Sequence, residues 1–244
     1  MSTRVYVPLS SALLLAGLVA VQAMNADDPL PITEKDLKAS ANNLKQIVLS
    51  IHTHSDAKGA IASDILDKND KPLLSWRVAI LPYIEKGEQE LELYKQFKLN
   101  EPWDSDNNKK LIEKMPKIYA PIRVKAKPGE TFYQTMTGEG TLFVKHKPVY
   151  QIGSIPDGTS LTGLIFEAGD PVIWTKPVDL PFEKDKPLPK LGGMFDGICQ
   201  LGLADGSTIK LRRYPDEFEL KSLIIPDDGR LVEFEKLKMP KGKS

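Results

Sequence analysis

Two histidines at positions i and i+2, His52 and His54, are the first side chains whose type and spacing suggest chemistry. Imidazole nitrogens so placed can bind a metal ion from a strand or loop, and Asp56 would add a carboxylate. The remaining histidine, His146, lies far along the chain, so the local ligand set is incomplete. We therefore interpret the pair as the end of a helix, where imidazole interacts favourably with the last carbonyls.

Asp104, Asp106 and Asn108 match the first three ligand positions of a calcium-binding loop. The sixth position of such a loop needs glycine but here holds Lys109, and the twelfth needs a bidentate glutamate but here holds Met115. An N-cap accounts for the same residues, since Asp and Asn accept hydrogen bonds from the free amides of a helix start. We expect no cofactor, and a nonstandard calcium site at these three residues is the alternative.

The sequence carries no pattern typical of an enzyme. It has no G-x-S-x-G elbow for a nucleophilic serine and no glycine-rich loop followed by a phosphate-binding lysine. The single cysteine, Cys199, lies in an apolar stretch without a Cys-His signature, which favours a small buried side chain. We predict a protein that is not an enzyme, and we name no catalytic residue.

The ligand-binding hypothesis rests on Trp174 and Asp179, which lie in a proline-rich stretch at 171–189. This stretch is too irregular for a helix or strand and is expected to wrap the surface, where a tryptophan ring could stack on a sugar. We favour packing over stacking, because tryptophan usually buries a large ring while its N–H finds a partner. We expect Trp76 to pack in the same way.

The first 23 residues have the three parts of a secretory signal. Arg4 gives a positive start, residues 9–21 are apolar, and Ala23 ends a small-residue cleavage site. Polar residues dilute the apolar stretch, so we favour cleavage over an anchor helix. We predict export to the periplasm or the extracellular space, with membrane attachment only if the leader is kept. Residues 24–32 form a polar linker whose prolines cannot continue a helix.

Composition limits the partners. Lysine plus arginine and aspartate plus glutamate each number 33, so the formal charge is zero. Nucleic-acid binders need a basic excess to neutralise phosphates, and this chain has none. Its 41% hydrophobic and 27% charged residues are typical of a globular protein. We predict one domain over residues 33–244.

Helical signals dominate the first half of the predicted domain. Thr33 and Asp36 resemble a capping box, and apolar residues at helical spacing follow as far as Ile51. They predict an amphipathic helix of about five turns, followed by a loop at 53–72. Further helical segments are expected at 73–84, 91–97 and 107–115.

From residue 117 the pattern changes to short β-rich runs separated by prolines and glycines. The expected strands are 131–135, 141–144, 161–167, 198–203 and 208–212, with a final helix at 215–223 and a last strand at 231–234. The Asp-Gly pairs at 157–158 and 205–206 predict turns between antiparallel strands. Helices followed by strands predict an α+β fold, with an N-terminal amphipathic helix and short helices packed on an antiparallel sheet.

Several segments in a fixed order resemble a known family. They are 42–47, 74–85, 93–111, 157–160, 174–177 and 204–207, and Glu-Pro-Trp-Asp-Ser at 101–105 is the most specific. Together they resemble a large bacterial family of pseudopilin-like proteins of unknown function, similar to the type II secretion G pseudopilins. Its members often carry a prepilin leader and an H-X9-DG motif.

The chain departs from that family at the motif and at the leader. Asp205 and Gly206 match the end of the motif, whereas Phe195 stands at the place of its histidine. The ordinary leader and the prolines behind it replace the filament-forming stem. The resemblance implies a pilin-like α+β body without the part that assembles.

We therefore predict a secreted, non-catalytic structural or interaction protein with an unknown envelope or extracellular partner. Its loops, above all 171–189, would carry recognition. The alternative is an extracytoplasmic ligand- or carbohydrate-binding module, and a hydrolase ranks third.

Overall fold

Helix α1, Glu34–Lys58, is the longest helix in the computed structural model, which describes residues 31–213 and 215–239. Thr33 and Asp36 each accept a hydrogen bond from the other's backbone N–H, which confirms the predicted capping box. The helix passes through the predicted loop start at Thr53 because no glycine or proline occurs before Gly59. Gly59 then ends the helix with a left-handed φ of 74°.

Shorter helices follow α1. The α-helices are α2 Trp76–Ala79, α3 Glu88–Gln96, α4 Glu217–Ile224 and α5 Phe234–Leu237, and single 3-10 turns lie at Leu81–Tyr83, Asn108–Lys114, Lys117–Tyr119, Ile152–Ser154 and Thr159–Leu161. Within the described part of the chain, none of the helices combines the length and apolar character needed to cross a membrane. The predicted signal peptide at 1–23 and most of the linker at 24–32 lie outside the described residues.

The strands form a central antiparallel sheet and two smaller sheets. They are β1 Ile65–Leu66, β2 Pro72–Leu74, β3 Glu130–Gln134, β4 Met136–Thr137, β5 Phe143–Val144, β6 Lys147–Pro148, β7 Gly163–Ile173, β8 Leu180–Pro181, β9 Gln200–Leu203 and β10 Thr208–Lys210. The central order is β10-β9-β7-β3, with every neighbour antiparallel. A second sheet, β6-β5-β4-β8, includes parallel pairs, and β1 pairs with β2. The predicted α+β class is confirmed.

Apolar layers cover both faces of the central sheet. Helix α1 packs across β9, where a Cβ on Gly202 would lie only 2.9 Å from Val48 Cγ2. Glycine at this position therefore lets helix and sheet approach closely. On the other side, Leu220 and Leu223 of α4 join Phe166 of β7 in a second cluster. The burial of these two layers supplies the main stabilisation of the fold.

The predicted helix at 73–84 is wrong at its beginning, because Leu73 and Leu74 belong to strand β2, and two later elements are wrong as well. Strand β7 continues through Pro171 to Ile173, so the proline-rich stretch begins as regular structure, next to a register shift in the pairing with β3. Proline is tolerated in strands at such irregularities. The expected last strand at 231–234 is absent, and helix α5 starts at Phe234 instead. Glu219 accepts hydrogen bonds from Glu233 N and Lys236 Nζ, which holds this turn against α4.

Candidate functional site

An open groove of about 700 Å³ lies between the segment 187–197 and the segments 211–213 and 215–220. Its floor includes four leucines, of which Leu188 and Leu191 are half-buried and Leu211 and Leu220 are buried. We call it the Pro–Arg groove, because Pro187 and Pro189 line one wall and Arg212 and Arg213 line the other. The volume falls in the range of ligand-binding sites, roughly 300–1,000 Å³.

The first wall is fixed by backbone pairing with the end of β7. Gly169 N donates to Lys190 O at 2.7 Å, and Gly193 N donates to Ala168 O at 2.9 Å. A Cβ on Gly193 would lie 2.0 Å from Gly169 O, so only glycine permits this approach. The wall is therefore a rigid continuation of the sheet, which suits a preformed binding surface.

The second wall follows β10. Leu211 N donates to Cys199 O, and Arg212 N donates to Leu237 O, both at 2.8 Å. The side chain of Arg213 lies across Gly197, where an added Cβ would be 3.2 Å from Arg213 Cγ. Backbone hydrogen bonds thus hold Leu211 and Arg212 in place at the groove.

The Nε atom of Arg212 is buried and has no hydrogen-bond partner among the described residues. A buried donor without a partner is costly, roughly 1–3 kcal/mol and more for a charged group. Because this atom has almost no surface open to solvent, a ligand in the groove would have to meet the terminal nitrogens of the guanidinium, and Arg212 is among the lining residues.

The charges around the groove leave a basic excess. Asp196 is paired with Arg123 at 3.0 Å, and Glu217 is paired with Lys221 at 2.9 Å. The basic side chains of the lining are Lys190, Arg212 and Arg213. None of these three has an ion-pair partner within residues 31–213 and 215–239, and the acid left to oppose them in the lining is Asp170. This field favours a ligand with a negative charge.

Trp174 packs in the core, as the packing interpretation expects, and does not form the exposed platform of the ligand-binding hypothesis. Its ring is 0% exposed and stacks against Tyr119 with the ring centroids 5.8 Å apart. Its Nε1 donates to Ile112 O at 2.9 Å. The correction follows from the continuation of β7, which carries Trp174 into the core, so the ring cannot stack on a surface sugar.

Asp179, the second residue of the ligand-binding hypothesis, is also buried. It accepts hydrogen bonds from Arg77 Nη2 at 2.6 Å, from Trp76 Nε1 and from Thr135 N. Burial raises the pKa of the Asp179 carboxyl to about 6, and the adjacent Arg77 guanidinium opposes that rise. This ion pair connects α2 to the strands from inside the fold, away from solvent.

The carboxamide of Asn108 is occupied by the backbone of the preceding loop. Its Oδ1 accepts from Lys98 N at 3.0 Å, and its Nδ2 donates to the carbonyls of Lys98, Glu101 and Pro102. Asp104 and Asp106, the other residues of the calcium hypothesis, are exposed on the same loop. In the described chain, no group of three His, Cys, Asp or Glu residues is arranged to hold a metal ion.

Asp205 and Gly206 form the turn between β9 and β10, as their Asp-Gly pattern predicts. Asp205 Oδ1 accepts from Ser207 N at 2.8 Å, and Gly206 has a φ of 86°. His52 of α1 donates from Nε2 to Ala204 O at 2.7 Å, which ties the helix to this turn. The neighbouring His54 instead contacts Ala60 O, and burial lowers the pKa of its imidazole.

Two clusters of titratable residues could not be predicted from the sequence. In the first, His146 Nδ1 lies 2.7 Å from Asp64 Oδ2, and this hydrogen bond raises the pKa of His146. Lys145 and His146 are both in the left-handed region, with φ of 48° and 67°, so the β5–β6 turn presents the imidazole to Asp64. The two partners lie 82 positions apart, so no local sequence pattern predicts their contact.

The second cluster surrounds Glu167, whose side chain is 0% exposed between α1 and the central sheet. Its carboxyl accepts from Ser40 Oγ at 2.5 Å and from Gln200 N at 2.7 Å. The Ser40 hydroxyl is also 2.6 Å from the Tyr133 hydroxyl. Burial raises the pKa of Glu167 to about 7, although these donors favour the ionised form. The sequence signal that could have revealed this cluster is an acidic residue directly after the apolar run Leu164, Ile165 and Phe166.

Comparison with known proteins gives one family. A family described as a protein of unknown function (DUF1559) matches residues 39–139. No curated protein and no solved structure matches the chain. The matched segment runs from α1 to the strands β3 and β4, whereas the Pro–Arg groove and the Asp205–Gly206 turn lie outside it. The similarity therefore covers the chain from α1 to β4 and carries no assigned activity.

Proposed function

We propose that this chain is an exported, non-catalytic interaction protein that binds a polypeptide segment of an envelope or extracellular partner in the Pro–Arg groove. The observation that carries the proposal is the combination, in one groove, of an apolar floor with three cations that make no ion pair among the described residues. Apolar side chains of a partner would cover Leu188 and Leu191, and its polar groups would meet the arginines. Loops held on a rigid scaffold commonly carry recognition.

The absence of catalysis is supported by where the perturbed acids lie. Glu167 and Asp179 have strongly raised pKa values, as many catalytic acids do. Both are enclosed in the core and bonded to neighbouring residues, so they cannot contact a substrate. Neither of these carboxyls lines the groove. Their role is to join elements of the fold.

The pseudopilin-like relationship and export belong to the same proposal. They are supported by the ordered sequence segments, by the leader pattern and by the match to a family of unknown function. The apolar face of α1 packs against the sheet through Leu44, Ile47 and Ile51. A helix whose apolar face is buried in this way exposes little apolar surface for packing into a filament.

Site-specific photo-crosslinking in the native envelope fraction tests this function. A photoreactive amino acid replaces Leu188 in the groove, and a matched variant carries it at Leu49, which is 50% exposed on α1 and outside the groove. We expect one dominant protein adduct from position 188 and none from position 49. The captured protein, once purified, should bind the wild-type chain and lose affinity for Arg212→Ala.

Equal adducts from both positions, or full binding by Arg212→Ala, would refute the groove as the interaction site. The groove volume also suits a small molecule, which makes a ligand-binding module the second candidate function. In that case position 188 would give no protein adduct, and a low-molecular-weight ligand would copurify with the wild-type chain.

A further inference from the structure

We infer that Arg212 binds a carboxylate group of the segment that occupies the Pro–Arg groove. This inference rests on the proposed function and names the chemistry of its ligand. Arg212 combines a positive charge, the lack of an ion-pair partner among the described residues, and a place in the lining of an open groove. The planar guanidinium fork fits a carboxylate with two parallel hydrogen bonds.

The backbone around Arg212 keeps its position defined before any ligand binds. Its own N–H donates to Leu237 O, and the preceding Leu211 donates to Cys199 O. Arg212 is thus anchored to Leu237 at the end of α5, and its neighbour Leu211 is anchored to Cys199 just before β9 begins. A receptor group held in this way loses little entropy on binding, which raises affinity.

A carboxylate carried by an apolar chain fits the lining of the groove better than a free phosphate. The unpaired cations Lys190, Arg212 and Arg213 outnumber the unpaired acid Asp170, so the lining favours an anion. The half-buried Leu188 and Leu191 favour apolar groups close to that anion. A peptide supplies both, with the carboxylate at its C-terminus or on an Asp or Glu side chain.

Fluorescence anisotropy with three labelled peptides tests the inference. All three are short leucine–alanine peptides: one ends in a free carboxylate, one ends in an amide, and one ends in an amide but carries an internal glutamate. We expect one or both carboxylate peptides to bind about tenfold or more tightly than the neutral one, as a charge-assisted hydrogen bond implies. The peptide with the greater gain identifies the source of the carboxylate.

Arg212→Ala should abolish that preference, and Arg212→Lys, which keeps the charge without the fork, should retain only part of it. Arg230→Ala is the matched control, because Arg230 is exposed and lies outside the groove lining. Circular dichroism checks that each variant is folded. If Arg212→Ala is unfolded, the inference is tested by Arg212→Lys alone, which should show a reduced preference for the carboxylate peptides.

Equal binding of the neutral and carboxylate peptides would overturn the inference while leaving the groove as a polypeptide site. Tighter binding of a phosphopeptide of the same sequence would also overturn it. Failure of every peptide to bind would remove the inference, and the crosslinking from position 188 would decide the proposed function independently.

Discussion

Replacing Glu167 by glutamine should remove a large decline in stability that the protein undergoes between about pH 4.5 and pH 7. Glu167 is fully buried, and no ion pair involves its carboxyl within the described residues. Burial therefore favours the neutral acid in the folded chain, where its pKa is about 7, against 4.5 in the unfolded chain. The neighbouring Cys199 thiol and Tyr133 phenol have raised pKa values and stay neutral in this range.

The sign and size of the effect follow from linkage. The folded state binds the Glu167 proton more tightly, so its contribution to stability is fully present below pH 4.5 and is lost as the pH rises to about 7. The difference between these two pKa values corresponds to roughly 3 kcal/mol. Glutamine cannot ionise, so the free energy of unfolding of Glu167→Gln should lack this loss.

Urea denaturation at intervals between pH 4 and pH 8 measures the effect. The quantity of interest is the free energy of unfolding of the wild type minus that of Glu167→Gln, which should fall by roughly 3 kcal/mol across the window. Glu139→Gln, at an exposed carboxyl, is the matched control and should follow the wild-type curve. Parallel curves for the wild type and Glu167→Gln would refute the reasoning.

Three further outcomes are expected from other buried or paired groups. Trp174→Phe should lower the free energy of unfolding by about 1–3 kcal/mol in chemical denaturation, because it leaves Ile112 O without its donor; a change below 0.5 kcal/mol would count against this packing. Asn108→Ala should cost about 2–4 kcal/mol through its lost backbone bonds, and EDTA should leave the Tm of the wild type unchanged, since the Asn108 carboxamide is already occupied. A fall in Tm with EDTA would instead favour calcium. NMR titration should give His146 a pKa above 6.5 that falls in Asp64→Asn, so its stabilising contribution is present below pH 6.5 and disappears as the pH rises through the raised value. An unchanged pKa in Asp64→Asn would contradict the pairing.

Local chemistry made part of this fold predictable. The capping box of Thr33 and Asp36 and the apolar spacing that follows are properties of neighbouring residues, so the start of α1 could be predicted directly. The Asp205–Gly206 turn is equally local, since only glycine readily takes its positive φ. The end of α1 was harder to predict, because the residues after Ile51 are polar but do not stop the helix.

The candidate site could not be predicted, because it depends on contacts between distant segments. The buried position of Trp174 follows from the pairing of β7 with β3. The prolines near Trp174 argue against a strand, so the sequence does not predict this pairing. The groove requires the segment at 187–197 to meet the end of β10, and the spacing of Arg212 and Arg213 gives no sign of that meeting. Polar networks such as Ser40 with Glu167, 127 positions apart, are hidden for the same reason.

Chemical-shift mapping on the 15N-labelled chain tests most directly whether the Pro–Arg groove is the binding site. The ligand is whichever of the three leucine–alanine peptides binds most tightly. We expect the largest amide shifts at residues 190–193 and 211–213, with few changes along the exposed face of α1. Shifts concentrated around Leu49 on α1, with the 211–213 amides unmoved, would contradict the account.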